Sequence, residues 1–148
     1  MSMPLPVPVP ATVSDDQMHA LVHAARAARE RAYAPYSRFK VGAALLDEQG
    51  RIHAGCNVEN AAYPQGQCAE ATAIGHLVMA GGTRILAAVV VGVADRPVTP
   101  CGGCRQRLRE FAADDCPIWI ADLDAVVARH TLGLLLPHSF GPDHLRPT

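Results

Sequence analysis

The sequence lacks two features that mark other classes of protein. It has no excess of basic residues, because 13 Lys and Arg face 14 Asp and Glu. A protein that grips nucleic acid through its phosphates usually carries a basic excess or a basic stripe. It also has no apolar run near the roughly 20 residues that a membrane-spanning helix needs. The longest run, 85–91, has the length of a buried strand. We therefore expect neither nucleic acid nor a membrane as a partner.

The N-terminal segment lacks the marks of a secretory signal. Its first ten residues, MSMPLPVPVP, contain no basic residue and no continuous apolar core. The alternating prolines predict an extended, disordered arm over 1–13, followed by a single domain over 14–148.

The five cysteines are an odd number and come without a secretory signal, which argues against a disulfide framework. We expect reduced thiols in the cytoplasm, and metal binding is the first role to consider for them.

Apolar spacing and turn residues predict one mixed sheet covered by helices. Ser14 and Asp15 are suitable caps for a first helix, and residues 47–50 (DEQG) form a hairpin turn between two strands. The predicted helices span 14–31, 68–80, 101–113 and 132–136, and the predicted strands span 40–46, 51–56, 85–93, 117–121 and 126–131.

Three cysteines stand where predicted helices begin: Cys68, Cys101 and Cys104. The last two lie in PCGGC, where two residues separate the thiols, a spacing typical of metal clamps. Zinc accepts thiolates in a tetrahedron, and catalytic sites keep the fourth position open. Helix N-termini suit thiolates because unpaired N–H groups and the helix dipole stabilise negative charge there.

Glu70 follows Cys68 by two residues, which on a regular helix point about 200° apart. The two side chains share a pocket only if Cys68 caps the helix. Glu70 would then reach a water on the metal without binding the metal, as a proton shuttle requires. Three thiolates leave zinc with a net negative charge, and Arg105 and Gln106 are candidates to offset it.

Two other interpretations of the cysteines remain open at this point. A Cys-x-x-Cys that follows a strand and opens a helix also fits a redox motif. A closed structural zinc site would need a fourth ligand from Cys56, Cys116 or one of the seven His. We interpret Cys56 and Cys116 as buried free thiols, because they lie in or beside apolar strands. We interpret the histidines as surface or core residues.

The order of Cys68-Ala-Glu70 and Pro100-Cys-Gly-Gly-Cys104 resembles the zinc deaminase signature in a three-cysteine form. The resemblance to cytidine deaminases of the short tetrameric class extends over about 33–140. The matching segments are YAPYSRFKVGAA, GCNVENAAY, CRQ and LLPHSFG. This resemblance implies an α/β fold, a three-layer α/β/α sandwich with a mixed five-stranded sheet. It also implies a homotetramer with sites shared across subunits.

The resemblance also implies a role for each matching residue. Cys68, Cys101 and Cys104 would bind one zinc ion per chain, and Glu70 would shuttle protons. Phe39 would pack against the nucleoside, and Asn57 and Glu59 would hold the ribose hydroxyls. The backbone of Ala69 would contact the pyrimidine edge. Tyr63 would help to complete a site across the interface, and Phe140 would stack on a base bound in a neighbouring subunit.

The implied reaction is the hydrolysis of cytidine and 2′-deoxycytidine to uridine and 2′-deoxyuridine plus ammonia, in pyrimidine salvage. Zinc-activated water would attack C4, with Glu70 as the proton shuttle. Two alternatives are a deaminase of another aminopyrimidine nucleoside, such as a nucleoside antibiotic, and a non-catalytic zinc-stabilised module. Ala71 departs from the family, which often has there an Arg that hydrogen-bonds the zinc thiolates, so the negative charge at the metal would be less well offset.

Overall fold

The protein's structure, a computed structural model, describes residues 12–146. Most of the predicted arm over 1–13 therefore lies outside the described residues. The helices are α1 (Asp15–Glu30), α2 (Ala69–Met79), α3 (Gly102–Arg109) and α4 (Leu132–Leu135). The strands are β1 (Gly42–Asp47), β2 (Ile52–Cys56), β3 (Ile85–Val91), β4 (Pro117–Ala121) and β5 (Val126–Thr131). Short 3-10 turns span Tyr63–Gln65 and Pro142–His144.

The five strands form one mixed sheet in the order β2-β1-β3-β4-β5. The β3–β4 pair is parallel, and the other three pairs are antiparallel. The connection between the two parallel strands carries α3, as a parallel crossover requires. The predicted mixed five-stranded sheet is confirmed.

Helices cover both faces of this sheet. One face packs against α1, whose Leu21 and Ala25 are fully buried beside Ala44 and Leu46 of β1. The opposite face packs against α2 and α3, where Leu77 and Leu108 meet the other face of the central strands. The central strands are covered on both sides, which explains why β3 is a continuous apolar run rather than an alternating one. The three-layer sandwich is confirmed.

Most predicted element boundaries are close to the observed ones, and β4 and β5 match them fully. Ser14 caps α1 in a capping box with Gln17. This pattern can be recognised from the sequence alone. The prediction for α3 was four residues too long at its C-terminus. Beyond the end of α3, the Phe111 carbonyl accepts a hydrogen bond from the N–H of Ile85 at 2.9 Å, which ties the chain after α3 to the start of β3. In residues 12–146, no helix has the length and apolar character needed to cross a membrane.

Candidate metal centre and active site

The N-termini of α2 and α3 come together on one face of the sheet and bring three thiols into one cluster. Cys68 is the N-cap of α2 with extended backbone (φ −74°, ψ 157°), as the argument from its spacing to Glu70 requires. Cys101 is the N-cap of α3 (φ −64°, ψ 165°), and Cys104 lies in the first turn of that helix. Neither capping cysteine uses its side chain to cap the helix, so both thiols are available to a ligand.

The sulfur geometry fits a tetrahedral zinc ion. The three Sγ atoms lie within 4.8 Å of one another, and those of Cys68 and Cys101 are 3.8 Å apart. A tetrahedron with Zn–S bonds of about 2.3 Å has sulfur–sulfur edges of roughly 3.8 Å. Within residues 12–146, this cluster contains three cysteines and no fourth ligand. The arrangement therefore favours an open catalytic site over a closed structural one.

The two remaining cysteines lie outside the cluster as free thiols. Cys116 is buried, and this burial raises the pKa of its thiol to about 12. Cys56 is half-buried at the end of β2. The prediction of a buried free thiol holds fully for Cys116 and in part for Cys56, and neither supplies a fourth ligand.

The thiols of the cluster do not ionise easily together. Burial raises the pKa of Cys104 far above its ordinary value, and the charges of Glu70 and Cys68 raise it further. Burial, with Cys101 as neighbour, also raises the pKa of Cys68. Burial opposes ionisation of Cys101 too, but hydrogen bonds from the Cys104 backbone and from neighbouring thiols outweigh it and lower that pKa. A divalent cation supplies the positive charge that three adjacent thiolates need.

Glu70 lies beside the cluster without belonging to it. It occupies the first turn of α2 and is only 4% exposed. Its carboxylate is close enough to Cys104 to raise the pKa of that thiol through its charge and a hydrogen bond. A buried carboxyl group next to a metal site, but not among its ligands, is positioned to move protons.

A cavity of about 380 Å³ opens beside Glu70 and the thiols. A neighbouring cavity of about 490 Å³ shares four of its lining residues, Ser37, Asn57, Glu59 and Cys68. Each volume lies within the range of ordinary small-molecule pockets. The first cavity brings together most of the predicted site residues: Phe39, Asn57, Glu59, Cys68, Ala69, Glu70 and Cys101.

Asn57 and Glu59 bind the 36–41 segment that forms one wall of this cavity. The Asn57 side chain accepts from the N–H of Val41 and donates to the carbonyl oxygen of Phe39, both at 2.8 Å. The Glu59 carboxylate accepts from the N–H groups of Tyr36 and Ser37 at 2.9 and 3.0 Å, and from the Ser37 hydroxyl. These Ser37 hydrogen bonds lower the pKa of Glu59. Both residues therefore shape the pocket, whatever else they bind.

The three aromatic residues that were predicted to bind substrate are all exposed. Phe39 is 41% exposed and lines the cavity of Glu70, directly after Arg38, which has left-handed backbone (φ 62°). Tyr63 lines the neighbouring cavity and contacts Tyr36 edge to face, with ring centroids 5.9 Å apart. Phe140 is 57% exposed and lines neither cavity.

Comparison with known proteins identifies the family. The family model described as "Cytidine and deoxycytidylate deaminase zinc-binding region" matches residues 15–120. This range includes all three clustered cysteines and Glu70. The chain belongs to the cytidine and deoxycytidylate deaminase family. It is 43% identical over 125 residues to a cytidine deaminase of Sporosarcina psychrophila, covering 84% of this chain and 92% of the relative. It is 45% identical over 114 residues to a cytidine deaminase of Mycobacterium tuberculosis, covering 77% of this chain and 82% of the relative.

Solved structures of the family share this fold. A cytidine deaminase from Burkholderia pseudomallei superposes with a TM-score of 0.78 at 45% identity, covering 82% of this chain and 98% of that protein. The enzyme from Mycobacterium tuberculosis superposes with a TM-score of 0.74 at 42% identity, covering 84% and 97%. The similarity therefore spans nearly the whole of both solved structures.

In this member of the deaminase family, Arg105 and Gln106 contact other parts of the chain rather than the thiols. Arg105 donates to the carbonyl oxygens of Pro100 and Leu135 at 2.7 and 2.8 Å and to the Thr99 hydroxyl at 3.1 Å. Gln106 donates to the carbonyl oxygen of Phe140 at 2.9 Å. That Arg105 offsets the charge of the thiolates stays a prediction. The hydrogen bonds of Arg105 to Thr99 and Pro100 hold the loop before Cys101.

Sequence reasoning missed several residues of the site. Ser37 and Thr99 line the cavity of Glu70, and Arg109 binds the segment that carries Phe140. Ser37 lies inside a segment that resembles the family, and Thr99 directly precedes the Pro-Cys motif. The sequence therefore carried a signal for both residues. Arg109 carries no local signal, because its partners lie some thirty positions away.

Proposed function

We propose that this protein hydrolyses cytidine and 2′-deoxycytidine to uridine and 2′-deoxyuridine, with release of ammonia. The observation that carries the proposal is the buried Glu70 beside three clustered thiols, at the wall of a nucleoside-sized cavity. The curated relatives with which the chain shares 43–45% identity are cytidine deaminases, which supports this substrate class.

Cys68, Cys101 and Cys104 would hold one zinc ion. When bound, zinc supplies Lewis acidity that lowers the pKa of water. The 3.8 Å distance between the Cys68 and Cys101 sulfurs, and the position of all three Sγ atoms within 4.8 Å of one another, support this assignment.

Glu70 would carry the protons of the reaction. It takes one from the attacking water, whose oxygen forms a bond to C4 of the ring. It delivers this proton to ring N3, takes the second proton from the hydroxyl group now on C4 and passes it to the amino group, so that the C4–N bond breaks, ammonia leaves and C4 keeps a carbonyl oxygen. Cytidine and one water become uridine and one ammonia, and the carboxyl group returns to its starting state. Burial keeps bulk water away from this transfer.

The rest of the cavity would bind the nucleoside. Asn57 and Glu59 present amide and carboxylate groups that suit the ribose hydroxyls, and Phe39 offers a ring edge or face. The backbone of Ala69 lies on the cavity wall beside Glu70, within the region where a pyrimidine edge would sit.

The exposure of Phe140 and Tyr63 supports a homotetramer in which subunits complete one another's sites. Phe140 is exposed and lines neither cavity of its own chain, and would stack on a base in a neighbouring subunit. We further propose that the enzyme works in the cytoplasm in pyrimidine salvage, since its thiols are free and its proposed substrates are free nucleosides.

Ammonia release from cytidine by the zinc-loaded protein tests the proposal. Glu70→Gln should keep zinc at one per chain and lose several orders of magnitude in kcat, whereas Glu110→Gln, an exposed carboxylate at the end of α3, should match the wild type. Retained activity in Glu70→Gln would contradict the shuttle. An inactive wild type with full zinc would contradict cytidine as substrate, and other aminopyrimidine nucleosides would then be assayed.

A further inference from the structure

The segment that carries Phe140 has little regular structure of its own. It follows α4, passes through His138 with left-handed backbone (φ 52°) and ends in the 3-10 turn Pro142–His144. The Phe140 ring stacks on His144, with centroids 4.8 Å apart and planes 22° from parallel. Contacts with the rest of the domain must therefore set the position of this ring.

Two residues of α3 supply those contacts. Gln106 donates to the Phe140 carbonyl oxygen at 2.9 Å. Arg109 donates through Nε to the Ser139 hydroxyl and through Nη2 to Asp143, both at 2.9 Å. Positions three apart share one face of a helix, so both side chains reach the same segment.

Gly141 shows how closely the Arg109 guanidinium packs on this segment. A Cβ atom at position 141 would lie 2.6 Å from Cζ of Arg109 and 2.8–2.9 Å from its two terminal nitrogens. Gly141 is buried, and the Arg109 side chain is only 18% exposed. The planar group thus lies flat on the backbone next to Phe140, with a hydrogen bond on either side of that contact.

The charge of Arg109 matters less than its shape. Asp143 is 60% exposed, and ion pairs with an exposed partner contribute little to stability. A lysine could reach one partner at a time and could not stack a plane on Gly141. Cys101 is the N-cap of the same helix and Cys104 lies within it, so α3 links the metal cluster to the Phe140 segment.

We propose that Arg109 is a positioning residue for substrate binding, which holds the 139–143 segment so that Phe140 stacks on the nucleoside base in a neighbouring subunit. The inference rests on the proposed function. Because Phe140 would contact the base and not the reacting atoms, loss of Arg109 raises KM and leaves kcat nearly unchanged. Stacking of a base on an aromatic side chain corresponds to roughly 5- to 150-fold in affinity, and the KM change in Phe140→Ala sets the upper limit.

Steady-state kinetics with cytidine test the inference in a double-mutant cycle. Arg109→Gln is expected to raise KM at least 5-fold, and Arg109→Lys to rescue part of the loss. In a Phe140→Ala background, Arg109→Gln should add nothing to KM, because the residue acts through Phe140. Arg107→Gln is the matched control, an exposed arginine about 200° around the same helix, and should match the wild type.

Three results would overturn the inference: an unchanged KM in Arg109→Gln, a fall in kcat alone, or an equal rise in KM with and without Phe140. If Arg109→Gln fails to fold, two other variants test the inference in the same double-mutant cycle. Arg109→Lys removes the Nε donor, and Ser139→Ala removes its hydroxyl acceptor. A wild-type protein that releases no ammonia from cytidine would overturn the proposed function first, which separates the two failures.

Discussion

The Sγ atoms of Cys68 and Cys101 lie 3.8 Å apart although 33 positions separate these residues in the chain. Each residue is the N-cap of its helix, so two helix N-termini face one small volume. Two sets of unpaired N–H groups and two dipoles therefore stabilise negative charge at the same point. These two helix N-termini act against the burial that raises the pKa of Cys68 and Cys104, and a bound cation would complete the offset.

The charge balance of this cluster is open to test at Ala71, a half-buried position in the first turn of α2. We expect Ala71→Arg to stabilise the thiolates, so that zinc is lost at lower pH than in the wild type. A titration with a zinc-sensitive dye measures the pH midpoint of metal release. Ala71→Gln controls for side-chain size, and an identical midpoint for arginine and wild type would argue against a charge role for this position.

The Asn57 side chain donates to Phe39 and accepts from Val41, and Asn57→Asp removes only the donor. An aspartate would also set a negative charge against the Phe39 carbonyl oxygen, at a cost of about 1–3 kcal/mol. We expect KM for cytidine to rise with zinc content unchanged. Asn60→Asp is the control, because Asn60 only accepts, from the N–H of Ala62 at 2.9 Å, and aspartate can do the same. Equal kinetics for both variants would contradict a role for the Asn57 amide.

Gly55 in β2 allows α2 to pack directly on the sheet. A Cβ there would lie 2.4 Å from the Ala73 nitrogen and 2.6 Å from the Ala69 oxygen, both backbone atoms that no side-chain rotation can move. Gly55→Ala should displace the first turn of α2, which carries Glu70, lowering the free energy of unfolding by roughly 1–3 kcal/mol and reducing kcat.

Gly75→Ala is the matched control for Gly55→Ala, since Gly75 lies within α2 and a Cβ there would meet no atom within 4 Å. It should stabilise the protein by about 0.5–1 kcal/mol. Urea unfolding at fixed protein concentration, with kcat measured in parallel, compares the two variants. A Gly55→Ala protein as stable and active as the wild type would show that α2 does not depend on this close approach.

Asp47 is a buried carboxylate that should make stability depend on pH. It accepts hydrogen bonds from His53 at 2.8 Å and from the Arg51 side chain at 2.7 Å. Burial raises the pKa of Asp47, but the hydrogen bonds from His53 and Arg51 outweigh it and hold that pKa far below its usual value. Because the folded-state pKa is depressed, this stabilisation is present above the unfolded pKa of about 3.9 and is lost as pH falls below it.

Asp47→Asn should therefore lower the free energy of unfolding by about 1–3 kcal/mol at pH 7 and flatten its decline below about pH 4. Urea unfolding between pH 3 and 7 measures both effects, with the exposed Asp95→Asn as control. The idea fails if Asp47→Asn and the wild type lose stability in parallel as the solution is acidified.

Local patterns in the sequence were sufficient to predict the elements and the centre of the site. Ser14 marks the start of α1, and the apolar run 85–91 marks β3. The spacing of Cys68 and Glu70 predicted that Cys68 caps α2, because residues two positions apart on a regular helix point in nearly opposite directions. In each case the relevant partners lie within a few positions of one another.

The tertiary structure alone decided which polar side chains meet over long distances. Arg105 looked like a neighbour of the thiolates, yet its donors bind Pro100, Leu135 and Thr99. Arg109 showed no motif, yet it holds the segment of Phe140. Long polar side chains can turn toward any acceptor within several ångströms, and only the packing of α3 against α4 and the segment that follows determines which acceptors are there.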